Sequence, residues 1–238
     1  MSMKNGAIWI TGASSGIGRE TAIKFLRNGY FVAASARRKE LLTSLQQFTD
    51  DKNESRLLPI DLDISDFEAV NKTADKINRA ENVSCLINNA GITTFSPAIE
   101  NTNEEVKQII DINLSGSIFA IQAVLPAMIK HGKGTIINII SVAADKVFTN
   151  SSVYSASKAG LLAYANVLRE EVREHNIKVI NVLPGATKTP IWPNEQLEKF
   201  SERMMSPADI AKLLFDFYET EGSLVPEEVT IRPIKGDI

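Results

Sequence analysis

The sequence predicts an α/β fold, a single-domain, doubly wound and mostly parallel sheet of about seven strands with helices on both faces. Three observations predict it. Short β-branched apolar runs alternate with longer amphipathic stretches along the whole chain, and such alternation implies crossover connections between parallel strands. No Pro/Gly/Ser-rich linker and no repeat of roughly 20 to 50 residues interrupts the pattern, so one domain over residues 1–238 is expected. The 238 residues are 44% hydrophobic and 23% charged, the usage of a folded soluble chain rather than a disordered or collagen-like one.

The first strand is 7–11, and its apolar run 7–10 is too short for the hydrophobic region of a secretion signal. Thr11-Gly12-Ala13-Ser14-Ser15-Gly16-Ile17-Gly18 follows and opens a helix predicted over 16–28. Its glycines permit a tight turn and a close backbone approach, and the N–H groups at the helix start attract a pyrophosphate. The spacing is Gly-x3-Gly-x-Gly rather than that of the common dinucleotide fingerprint, and no Lys-Ser/Thr follows as in a Walker-type site. A merely structural turn is the alternative. The second strand, 31–35, runs into Ala36-Arg37-Arg38 with no carboxylate where one would bind the ribose 2′-hydroxyl of NAD. Guanidinium groups there suit a 2′-phosphate, which favours NADP(H) over NAD(H). Arg37 is the stronger candidate for that contact, and Arg38 suits better the solvated start of a helix over 39–48.

A third strand at 56–60 precedes Asp63-Ile64-Ser65-Asp66 and a helix over 66–80. The fourth, 85–88, runs into Asn89-Ala90-Gly91 and contains Cys85, read as a small buried hydrophobe. A lone cysteine forms no internal disulfide and fits a reducing, cytoplasmic setting. One long helix is predicted over 103–130. Its uncharged part, 112–129, reaches the lower limit for a membrane span, but Asn113, Ser115, Gly116, Ser117, Gln122 and Pro126 mark it as a helix buried in protein. The fifth strand, 135–140, ends before Ser141. A helix over 153–175 then carries Tyr154 and Lys158, whose i, i+4 spacing puts both on one face. An ammonium near a phenol favours phenolate and lowers the phenol pKa, which makes tyrosine a usable acid–base. The sixth strand, 178–183, meets Pro184-Gly185. Only 186–206 separate it from a helix over 207–219, which starts at Ser206-Pro207 and aligns Ile210, Leu213, Leu214 and Phe217 on one face. A strand at 228–232 completes the sheet. In such sheets ligands bind beyond the carboxyl ends of the strands, where the unusual polar residues of this chain collect.

These motifs, in order over residues 6–190, resemble the classical short-chain dehydrogenase/reductase family. Thr11-Gly12-x3-Gly16-x-Gly18 is similar to its cofactor loop, Asn88-Asn89-Ala90-Gly91 to the motif after its fourth strand, and Pro184-Gly185 with Thr189 to the motif after its sixth. Asn113, Ser141, Tyr154 and Lys158 match its catalytic set. The resemblance implies a Rossmann-like NADP(H)-dependent oxidoreductase that interconverts a small-molecule carbonyl and a secondary alcohol. Tyr154 would be the acid/base, and Ser141 would hydrogen-bond the reacting oxygen. Lys158 would lower the tyrosine pKa and hold the nicotinamide ribose, and Asn113 would hold, through its backbone, a water leading from Lys158 to solvent. The implied cofactor contacts are Gly12, Ser14, Ser15, Gly16, Ile17, Gly18, Arg37, Arg38, Asn89, Ala90, Gly91, Tyr154, Lys158, Pro184, Gly185, Thr187 and Thr189. Asp63 and Ile64 would meet the adenine, with Asp61 a near alternative for the carboxylate. Phe95, Val147, Phe148 and Trp192 would line a mainly apolar substrate pocket. The apolar stretches 112–129 and 159–168 would form a four-helix interface, so a homodimer or homotetramer is expected.

Other chemistries fit less well. With 26 basic and 29 acidic residues interspersed for a net charge of −3, neither a nucleic-acid nor a membrane partner is expected. His131 and His175 at predicted helix ends and one cysteine assemble no metal site. No Gly-x-Ser-x-Gly elbow surrounds Ser141, which argues against a hydrolase. A dinucleotide-binding redox sensor without turnover would show a degraded catalytic set, and an NAD-dependent isomerase or lyase of related fold would carry a larger carboxy-terminal domain. The short 186–206 segment and an ending without Asp-Gly-Gly argue against acyl-carrier-protein reduction and leave little chain for a substrate lid.

Overall fold

The structure, a computed structural model, describes residues 6–49 and 56–238. Seven strands, β1 (Ala7–Thr11), β2 (Phe31–Ala36), β3 (Leu57–Asp61), β4 (Val83–Asn88), β5 (Gly134–Ile139), β6 (Ile177–Pro184) and β7 (Glu228–Ile231), form one parallel sheet in the order β3-β2-β1-β4-β5-β6-β7. Strand order reverses between β1 and β4, which places the ligand crevice beyond their carboxyl ends.

Burial on both faces explains why the strands read as continuous apolar runs rather than alternating ones. Along β1, Ala7 and Trp9 face a core shared with Ile77 of α3 (Phe67–Ala80), Ile121 and Val124 of α5 (Gly116–His131) and Leu168 of α6 (Ser152–Val172). Ile8 and Ile10 face the opposite core, built with Phe25 and Leu26 of α1 (Gly16–Arg27), Leu42 of α2 (Lys39–Thr43) and Leu214 of α8 (Pro207–Glu219). Each large side chain buried in this way contributes about 1.5–3 kcal/mol. The apolar stretch within 112–129 therefore packs in protein, with Ala120, Ile121, Val124 and Met128 turned to the sheet.

A polar row crosses this interior. Asn88, Asn138 and Asn181 stand in register on β4, β5 and β6 and pass amide hydrogen bonds of 3.0 Å from one to the next. Asn181 Nδ2 continues it to Asn166 Oδ1 of α6, also at 3.0 Å. The row ties α6, which carries Tyr154 and Lys158, to the strands beneath it.

Several elements differ from the sequence expectation. The helix predicted over 103–130 is α4 (Asn103–Ile110) and α5 joined by a π-helical turn, Asp111–Ser115. Hydrophobic periodicity does not register one extra residue in a turn, and Asn113 lies in that turn. The helix predicted over 39–48 is α-helical only through Thr43 and tightens to a 3₁₀ turn over Ser44–Phe48, and α6 ends at Val172 before a 3₁₀ turn over Arg173–His175. Strand β3 is displaced by one residue toward Asp61, where it pairs with Ala36. Residues 186–206 are not a plain loop. They contain α7 (Asn194–Phe200) and are pinned at the base by a Thr187–Met205 bridge, with Met205 N–H donating to Ala186 O at 2.9 Å.

Candidate active site

A cleft of about 890 Å³ opens beyond the carboxyl ends of the strands on either side of the reversal. Its first wall is the turn from β1 to α1. Thr11 Oγ1 accepts from the N–H groups of Asn89 (3.0 Å) and Ala90 (3.1 Å), and Asn89 Nδ2 donates to the carbonyls of Thr11 (2.9 Å) and Gly12 (3.1 Å). The two loops approach so closely that a Cβ at Gly12 would lie 2.8 Å from Ala90 Cα, and one at Gly18 would lie 2.4 Å from Asn89 Nδ2. Gly18 thus serves packing and does not line the cleft, unlike the other expected cofactor contacts. Ser15, the N-cap of α1, makes no side-chain capping bond. A glycine cradle, two serine hydroxyls and an N-terminus with its donors toward the cleft fit the pyrophosphate of a dinucleotide.

At the end of β2 both arginines line the cleft. Arg38 Nη2 donates to Ser14 Oγ (3.0 Å) and Ser15 Oγ (3.2 Å). Arg37 also lines the cleft, but its charge acts on Asp63. The Asp63 carboxyl is held below its usual range chiefly by the Ser65 hydroxyl at 2.7 Å, with the Ser65 N–H and Arg37 adding to the effect. Arg38 is the N-cap of α2, and the chain turning there swings its side chain back over the serines, which strand alternation alone does not foresee. Asp63 and Ile64 line the cleft and Asp61 does not.

Ser141 follows β5, Tyr154 lies in the first turn of α6, and Lys158 lies one turn on. All three line the cleft beside Ala90 and Gly91. Burial pushes the Tyr154 phenol above its ordinary pKa, and its hydrogen bond with Ser141 opposes that rise. Ser141 Oγ in turn accepts from Ala143 N–H at 3.1 Å. Lys158 is 4% exposed, and burial pulls its ammonium down to about 8. Its Nζ donates to Ile139 O at 2.7 Å and stands 5.8 Å from the Tyr154 ring centroid. Burial is the largest influence on the Tyr154 phenol, and a strand-end carbonyl, Ile139 O, holds the Lys158 ammonium.

Asn113 is fully buried behind the cleft rather than on its wall. Its Oδ1 accepts from Ile92 N–H (2.8 Å), and its Nδ2 donates to Ile92 O (2.9 Å) and Ser157 Oγ (3.0 Å). Ser157 Oγ donates onward to Tyr154 O at 2.7 Å. The backbone carbonyl of Asn113, expected to hold a water, accepts from Ser117 Oγ at 3.0 Å.

At the other end of the cleft, Phe95 and Trp192 stack with centroids 5.0 Å apart and planes 22° apart, and Phe148 lines the same cavity. Val147 is 97% exposed and does not line it, because its turn carries Phe148 inward instead. Gln196 of α7, Asn150, Asp237 and Ile238 also line the cleft and were not foreseen. A polar residue inside a short helix and a tail beyond the last strand carry no local motif, and only the three-dimensional path brings them here.

Comparison with known proteins agrees with this geometry. The family model described as short chain dehydrogenase matches residues 6–199. The chain is 34% identical over 236 residues to a sepiapterin reductase from Chlorobaculum tepidum, covering 96% of each protein. It is 31% identical over 231 residues to a 3-oxoacyl-[acyl-carrier-protein] reductase from Thermotoga maritima, covering 92% of this chain and 93% of that protein. Among solved structures, a metagenomic short-chain oxidoreductase in complex with NADP superposes with a TM-score of 0.85 at 29% identity, covering 98% of this chain and 99% of the other.

Proposed function

The chain belongs to the short-chain dehydrogenase/reductase family, whose oxidoreductases bind nicotinamide dinucleotides, and on that premise we propose that it interconverts an uncharged carbonyl compound and its secondary alcohol with NADP(H), Tyr154 being the acid/base. The observation that carries this reading is the convergence of Ser141, Tyr154 and Lys158 on one cleft with the glycine cradle of β1–α1. When bound, the dinucleotide supplies or accepts the hydride, and the protein supplies position and proton.

Tyr154, whose phenol burial holds above its ordinary pKa, donates its proton to the carbonyl oxygen in reduction. Ser141 shares that oxygen and stabilises the charge developing on it. Lys158, charged below about pH 8, stabilises the phenolate left on Tyr154. Asn113 acts as a positioning residue, since its amide fixes Ile92 on the cleft wall and Ser157 on the catalytic helix.

Two features support the finer assignments. Arg38 on Ser14 and Ser15, with Arg37 beside them, makes a cationic pocket suited to a 2′-phosphate. Among the described residues, the cations lining the cleft are Arg37, Arg38 and Lys158, so the end around Phe95, Phe148 and Trp192 offers no further one to a phosphate-bearing carrier. That favours an uncharged, partly apolar substrate over an acyl-carrier thioester. Steady-state kinetics of Arg38→Ala with both dinucleotides test the cofactor assignment. Loss of charge-assisted bonds to a phosphate is expected to raise KM for NADPH by about 10- to 100-fold. KM for NADH should change little, and equal effects on both would refute a 2′-phosphate site.

A further inference from the structure

Beyond β7 the chain doubles back toward the cleft. Ile231 O accepts from Gly185 N–H at 2.7 Å, and Pro233 seats so near Gly185 that a Cβ there would come within 3.1 Å of the proline Cδ. Gly236 N–H donates to Pro233 O at 2.9 Å and closes a turn. The next residue, Asp237, is then gripped from two sides. Arg232 Nε donates to Oδ1 at 3.0 Å and Arg232 Nη2 to Oδ2, a fork that fixes orientation as well as distance. Arg203 Nη2 donates to the main-chain carbonyl of Asp237 at 3.0 Å. Arg203 belongs to the 186–206 segment, so this bond ties the tail to the stretch that carries Trp192 and Gln196.

The grip has a directional result. Ile234 on the turn is fully exposed, whereas Asp237 and Ile238 line the cleft together with Trp192 and Gln196. The carboxylate of Asp237 is paired with Arg232, and Ile238 is the apolar residue that the tail adds to the cleft lining. A β-branched side chain is stiff at χ1, and a residue next to a forked ion pair has little room to move aside.

We propose that Ile238, held in place by the Arg232–Asp237–Arg203 clamp, is a specificity-determining wall that limits the bulk of the carbonyl substrate. The proposal rests on the oxidoreductase reading and adds the tail to the cover that 186–206 supplies through Trp192 and Gln196. The fork is part-exposed, with side-chain exposures of 38% for Arg232 and 23% for Asp237, so salt weakens it and loosens the wall.

The test uses the full chain with NADPH and compares kcat/KM for a small and a bulky aryl ketone, alongside acrylamide quenching of tryptophan emission. Trp9 is fully buried, so quenching reports Trp192. Ile238→Ala and Arg232→Gln are expected to raise the bulky-to-small ratio about tenfold, the discrimination that a methylene or so carries in an apolar pocket. Both should also raise the quenching constant, and Ile238→Leu should leave ratio and quenching near those of the unmodified protein. An unchanged ratio in both variants overturns the proposal. If the unmodified protein turns over no carbonyl at all, the oxidoreductase reading fails instead. Quenching then decides for the tail, a rise in both variants supporting a closing wall and no rise overturning it.

Discussion

Lys158 carries the site's most accessible titration. A lysine with a folded-state pKa of about 8 binds fewer protons than an unfolded lysine, near ~10.4, throughout the interval between those values. Stability from this group therefore rises with pH across that window, and below about pH 8 the buried charge opposes folding. Activity is expected to run the other way. As the ammonium is lost, the phenolate left on Tyr154 loses its support, so kcat/KM for carbonyl reduction should fall with an apparent pKa near 8. Lys158→Arg should remove that falling limb from the pH profile, and a limb retained in the variant would assign it to another group. At this scale the residue types were legible, because Tyr154-x3-Lys158, Ser141 and the glycine loop are local patterns. Side-chain direction was not. Arg38 takes the serines because α2 turns back there, and Lys158 turns to Ile139 O because that carbonyl lies at the open end of β5.

Among the elements, the π turn between α4 and α5 does most to position the site. It seats Asn113 so that one amide satisfies both backbone groups of Ile92 and reaches Ser157. Asn113→Leu leaves those groups without that partner, at about 1–3 kcal/mol for each group left buried and unsatisfied. The urea midpoint is expected to fall at unchanged m-value, with loss of kcat larger than any rise in KM for NADPH. A variant equal to the parent in both stability and kcat would deny Asn113 its positioning role. Strands were legible to within a residue or two, since β-branched runs buried on both faces announce themselves. The π turn was not, because one inserted residue leaves the apolar pattern of 103–130 intact. Helix α7 was also hidden, a single short helix after Pro193 with few apolar positions.

For the molecule as a whole, the order of motifs dictated the topology. Parallel strands joined by right-handed crossovers leave few arrangements, and the reversal between β1 and β4 brings residues from the glycine turn, β5 and α6 to one cleft. At the far end of the cleft Phe95, Phe148 and Trp192 were legible, but the side built by 186–206 and the tail after β7 was not, because no local pattern encodes their meeting through Arg203 and Asp237. Carbonyl reduction in this cleft with a proton from Tyr154 can be checked without knowing the natural substrate. The most direct measurement follows NADPH consumption against a panel of uncharged aldehydes and ketones for the parent and Tyr154→Phe, with NADPH affinity determined by fluorescence titration. The parent is expected to turn over, the variant to lose about 10²- to 10⁴-fold in kcat, and NADPH affinity to change little. Equal rates in the two proteins would contradict a proton from Tyr154.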